Sequence, residues 1–133
     1  MKLAQAIKKA KRVYLCGNGG SAANAIHIAN DLISVGIKAY ALTADVATLT
    51  AIANDYGYQF VFSRQLGVFG ERGDLLIALS GSGRSANVLN AIDVAHGRGM
   101  DVYKIFGPAN DMQGAEERQL VLGHKAMKWL KHS

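Results

Sequence analysis

Two segments rich in glycine and serine, and two helix-like segments that carry histidine, hold the side chains of this sequence that could do chemistry. The first, Gly17-Asn18-Gly19-Gly20-Ser21, follows an apolar run that stops at Cys16. Glycines there permit positive φ and let a ligand approach the main chain closely. A helix starting at this point would offer unpaired amides and a dipole that favour an anion. The segment is neither a dinucleotide fingerprint, since its glycines do not fit G-x-G-x-x-G, nor a Walker loop, since the G-K-[ST] ending is absent. Taken alone, it reads as well as a plain tight turn. The second segment, Ser80-Gly81-Ser82-Gly83-Arg84-Ser85, changes that balance. Three hydroxyls at a strand end, with main-chain amides, make a close-fitting phosphate cradle to which Arg84 adds charge. Ser85 would also serve as a simple N-cap for the next helix. Two such loops at corresponding strand ends are harder to ascribe to turns alone.

The helical stretch after the first loop is apolar almost all round, which predicts burial on most sides. Its polar exceptions, Asn24, His27, Asp31 and Ser34, are spaced so that they share a face. His27 and Asp31, four apart, suit a shared metal ion or a substrate hydroxyl, and equally an exposed ion pair. In the last helical segment, Leu120, Gly123, Met127 and Leu130 make an apolar face on which His124 lies, with Glu116 and Glu117 two turns earlier. An imidazole on such a face is either a satisfied core residue or, with a carboxylate nearby, a catalytic or ligand group.

The elements that must position these groups follow from periodicity. Helices are predicted over 1–12, about 22–35, 45–54, 59–67, 86–98 and 113–132, and strands over 13–16, 38–42, 74–80 and 101–106. The uninterrupted Leu75–Leu79 run reads as a parallel strand buried on both faces. This order predicts an α/β three-layer sandwich: a parallel sheet of four or five strands with helices on both faces, and the loops on one edge. The 133 residues are expected to form one domain, a short N-terminal helix (1–12) leading into a core (13–133).

Composition removes other classes. An apolar share of 50% and a charged share of 19% are those of a globular chain, not a disordered one. A single cysteine offers no disulfide framework and suits the cytoplasm. No signal peptide and no membrane span is expected. The net charge of +5 lies mostly in two helix-like ends, and no basic–aromatic module predicts direct nucleic-acid binding.

Four stretches together resemble the sugar isomerase (SIS) domain: Cys16–Ser21, His27–Leu32, Asn54-Asp55-Tyr56-Gly57, and Ile77–Val88. Within that superfamily the pattern is most similar to phosphoheptose isomerases, which convert sedoheptulose 7-phosphate to D-glycero-D-manno-heptose 7-phosphate through an enediol. The resemblance implies substrate contacts at Asn18, Gly19, Gly20, Ser21, Asn54, Asp55, Ser80, Gly81, Ser82, Ser85 and Glu116. It implies an acid–base pair at Asp31 and His124, and zinc held by His27, Asp31, Glu116 and His124. It also implies self-association as dimer or tetramer, with active sites between subunits.

Three departures from the family pattern stand out. Its helix glutamate is Asp31 here, one methylene shorter, and its glutamine is the anionic Glu116. The chain also has a shorter N-terminal helix and only Gly107–Gln113 where the family places a fifth strand. Relatives without the acid–base pair act as sugar-phosphate sensors or as adaptors for a replication initiator. The carboxylate at Asp31 and imidazole at His124 favour the enzyme over that alternative.

Overall fold

Two continuous apolar runs make the centre of the sheet. In the computed structural model, which describes residues 2–132, β1 (Val13–Cys16) and β3 (Leu75–Ser80) are buried at every position. They pair in parallel with Val13 opposite Leu75. The flanking strands, β2 (Ala39–Ala41) and β4 (Asp101–Phe106), are partly exposed, as edge strands are. All pairings are parallel and the order is β2-β1-β3-β4, so the sheet has four strands and no fifth among the described residues.

Six helices cover the two faces. α1 (Lys2–Lys9), α2 (Gly20–Ser34) and α6 (Met112–Lys131) pack on one, through Leu3, Ile7, Ala25, Ile28, Leu32, Ala126 and Met127. α3 (Val46–Asp55), α4 (Ser63–Phe69) and α5 (Ala86–Gly97) cover the other, where Leu49, Leu66, Val88, Ala91 and Ile92 meet Tyr14, Leu76 and Ala78. Fully burying one such Leu or Ile contributes about 1.5–3 kcal/mol. Because α2 follows β1 onto one face and α5 follows β3 onto the other, the two loops diverge at the centre of the sheet. That switch point is where such folds bind ligands.

Most predicted elements form within two residues of the expected ends; the helix expected over 59–67 divides. Tyr58–Phe60 is a 3₁₀ turn and α4 begins at Ser63. The expectation that the first long helix is buried on most sides does not hold: Ile26 and Ile33 are 47% and 56% exposed. Only the face formed by Ser21, Asn24, Ala25, Ile28, Ala29 and Leu32 is covered.

α3 starts at a charged cap. The Asp45 carboxylate accepts N–H from Ala47 (3.0 Å) and Thr48 (3.3 Å) and the Thr48 hydroxyl (3.0 Å). The main-chain bond from Thr48 is foremost in holding the carboxyl below its ordinary range. Since the folded pKa is the lower one, the cap's contribution is full above the unfolded carboxylate range. It is lost as pH falls through the folded pKa. Asp45→Asn, uncharged but still able to cap, is expected to flatten part of the acid limb of a thermal-stability profile; an identical limb would contradict this.

Candidate functional site

At the end of β1 the chain passes through Asn18 and turns at Gly19, whose φ of +56° and ψ of −120° favour glycine, straight into α2. No side chain caps this helix. Asn18 forms a reciprocal amide pair with Asn87 of α5, both bonds 2.9 Å, and its oxygen also accepts the Tyr58 hydroxyl at 2.9 Å. Asn18 thus lies in the switch-point crevice, tying the first loop to the second. Asn87 and Tyr58 were not singled out from sequence; an asparagine one residue inside a helix gives no signal until its partner is known.

After β3 the three serines converge. The hydroxyl oxygens of Ser80, Ser82 and Ser85 lie 3.4, 3.4 and 3.5 Å apart. Ser80 Oγ accepts the Gly83 N–H (2.9 Å) and Ser82 Oγ accepts the Arg84 N–H (3.1 Å), which sets the loop's curl. Ser85 stands at the N-cap position of α5, but its hydroxyl makes no cap bond and turns instead towards the other two serines. The first-turn amides of α5 therefore keep no side-chain partner, and an anion could take that place. Gly81 has a different task from its neighbours: a β-carbon there would come 2.6 Å from Met112 Sδ and 3.4 Å from Ala115 Cβ. It admits the start of α6 against the loop.

α2 and α6 run side by side from this edge, and their contacts descend in register. A β-carbon at Gly20 would overlap the Glu116 carboxylate. Next, Asn24 Nδ2 donates to Gln119 Oε1 (2.8 Å) and to the Glu116 carbonyl (3.0 Å), and Gln119 Nε2 donates to Ser21 Oγ (2.9 Å). A turn further, Gly123 lets Ile28 approach to within 3.0 Å of where a β-carbon would be. Below that, three side chains meet. His27 Nε2 lies 3.3 Å and His124 Nε2 3.9 Å from Asp31 Oδ2, and the two imidazole nitrogens are 3.2 Å apart. Their side chains are 52%, 54% and 26% exposed for His27, His124 and Asp31.

This arrangement corrects several assignments. Ser21 is buried and its hydroxyl is bonded to Gln119, so it belongs to the helix seam, not to a ligand surface. Asn24 is buried likewise, unlike His27, with which its spacing places it on one face. His124 projects from the exposed edge of α6, not from its apolar face. Glu116 is outside the His27–Asp31–His124 cluster. It precedes His124 by eight residues, about 12 Å along one helix, so the two side chains stand well apart on α6. Glu116 is placed at the loop edge, over the start of α2. Asn54 and Asp55, hydrogen-bonded to each other at 3.0 Å, sit exposed at the end of α3, just before the turn that carries Tyr58. Cys16 is fully buried, and burial pushes its thiol up to about 12, so it is no nucleophile.

Two centres result, one at the loop edge and one on the flank. His27 is about 10 Å and Asp31 about 16 Å along α2 from Gly20.

Residues 1–107 match the family model described as SIS domain. The chain is 46% identical over 111 residues to a phosphoheptose isomerase of Thiobacillus denitrificans, covering 79% of this chain but only 56% of that relative. It is 40% identical over 149 aligned positions to a phosphoheptose isomerase of Burkholderia pseudomallei, covering 96% of this chain and 76% of the relative. That alignment is longer than the chain itself, so the relative has residues opposite gaps here. The structure of a phosphoheptose isomerase from Neisseria gonorrhoeae superposes with a TM-score of 0.89 at 33% identity, over 98% of this chain and 82% of that one. No helix among the described residues is long and apolar enough to cross a membrane.

Proposed function

Because the chain belongs to the SIS-domain family, in its phosphoheptose isomerase branch, we propose that it is an aldose–ketose isomerase acting on sedoheptulose 7-phosphate. The observation that carries the reading is the convergence of three serine hydroxyls over an uncapped helix start at the switch point. The phosphate sits on Ser80, Ser82, Ser85 and the first amides of α5. Asn18, Asp55 and Glu116 face the sugar hydroxyls.

A base removes a proton from C1 of the ketose to give an enediol, and an acid returns one to C2, leaving the carbonyl at C1. Asp31 and His124 supply these two roles. Zinc fits the flank cluster. Donors about 2.0–2.2 Å from a tetrahedral ion are roughly 3.3–3.5 Å apart, and the observed separations are 3.2, 3.3 and 3.9 Å. Bound to His27, Asp31 and His124, the ion would polarise the carbonyl.

An acid–base pair must approach its carbon to about 3–3.5 Å, yet the flank cluster lies well below the loop edge. The separation fits a second copy presenting its cluster to the cradle of the first. Ile26, exposed next to His27 on α2, suits such a contact. Sedimentation at micromolar concentration is therefore expected to show a dimer or tetramer, and a lone monomer would contradict it. A cytoplasmic location accords with the buried free thiol.

The direct test is turnover of sedoheptulose 7-phosphate by the purified chain, with and without added zinc. Alongside it, Ser80→Ala/Ser82→Ala is expected to weaken sugar-phosphate binding roughly 10- to 100-fold, two charge-assisted bonds being lost. Binding without turnover would favour a sensor; unchanged affinity in the double variant would remove the cradle.

A further inference from the structure

Beside the flank cluster the seam between α2 and α6 opens into a pocket of about 280 Å³, lined by Asp31, Ser34, His124, Met127, Lys128 and Lys131. Lys128 and Lys131 follow His124 by four and seven residues, so the three side chains leave α6 along one stripe. Both lysines are exposed, and neither has an ion-pair partner among the described residues. Two ammonium groups a turn apart repel each other, and an anion between them turns that repulsion into attraction. The pocket's one carboxylate, Asp31, is turned to the two imidazoles, and the Ser34 hydroxyl is bonded to the Asp31 carbonyl at 2.6 Å.

We infer that this pocket is a second phosphate site, separate from the serine cradle, in which a phosphate group binds between Lys128 Nζ and Lys131 Nζ beside His124. Lys128 lies sixteen residues beyond Met112, which touches the cradle at Gly81; this is about 24 Å along α6, so within one chain a single phosphate cannot serve both places. A phosphate held there stands at the mouth of the His27–Asp31–His124 cluster. Its consequence for catalysis, competition between free phosphate and the sugar, rests on the isomerase reading above; the binding itself does not.

The test is titration of the full chain, freed of metal, with inorganic phosphate at constant pH and ionic strength. It is followed by calorimetry and by the imidazole resonances of His27 and His124. Saturable shifts are expected. Lys128→Gln/Lys131→Gln should raise the Kd read at His124 about tenfold, since exposed charge pairs contribute modestly each. Lys128→Arg/Lys131→Arg should retain it, and Ser80→Ala/Ser82→Ala should leave it unchanged while removing the other binding event. Shifts that do not saturate, or that survive the glutamine pair, would overturn the site. Neither result depends on turnover, so a failed site and a failed isomerase reading remain distinguishable.

Discussion

Replacing His124 by alanine is expected to lower turnover of sedoheptulose 7-phosphate by about 10²- to 10⁴-fold, the usual contribution of one positioned acid or base. Affinity for the sugar phosphate should change little, because the phosphate is held at the loop edge while His124 is on the flank. The expected signature is a fall in kcat with KM nearly unchanged, as for an interaction made only in the transition state. A rise in KM at constant kcat would mean that His124 merely binds. Loss of zinc affinity should accompany the kinetic loss, since His124 supplies one of the three donors that, among the described residues, lie within 4.8 Å of one another. Asp31→Asn keeps the size and removes the charge; it separates the base from the ligand role if turnover falls while zinc still binds.

Much of this architecture was legible in the residues. Strands buried on both faces announce themselves as unbroken apolar runs, so β1 and β3 stand where the sequence analysis places them. Glycine and serine between such a run and a helical period mark the two loops. The i,i+4 spacing of His27 and Asp31 puts them on one face, and the structure adds His124 from 97 residues away. That last step is tertiary. It depends on α2 and α6 lying parallel and in register, which no local period encodes.

What escaped the sequence has the same origin. Glu116 shares a helix with His124, but eight residues of rise separate them, and only the register against Gly20 shows the carboxylate at the loop edge. The burial of Ser21, implied as a substrate contact, and of Asn24, placed on a face with His27, was not legible because their partner, Gln119, is nearly a hundred residues on. Gly81 makes room for Met112, and the short link after β4 delivers α6 directly onto the second glycine–serine loop. A larger residue at 81 would push the start of α6 away.

Gln119 is where the seam should prove most vulnerable. It is 1% exposed, and its carboxamide is spent on Asn24 and Ser21, both buried. Gln119→Leu has similar bulk but strands the Ser21 hydroxyl and weakens the bonding of Asn24, which keeps only the Glu116 carbonyl. A buried polar group left unpaired costs about 1–3 kcal/mol. The variant should therefore lose about 2–4 kcal/mol, a large part of the roughly 5–15 kcal/mol available to a domain. Thermal unfolding is expected to drop by about 6–16 °C, given roughly 3–4 °C per kcal/mol for a domain between the two size classes. Ser21→Ala in the same chain should return part of the loss, because residues in one network couple by about 0.5–3 kcal/mol. A single variant within about 0.5 kcal/mol of the parent, the usual range for surface substitutions, would show that α2 and α6 are held by apolar packing alone. The network has a functional consequence as well. It fixes the register that brings His124 to His27 and Asp31, so Gln119→Leu should weaken zinc binding at the flank even below its melting temperature.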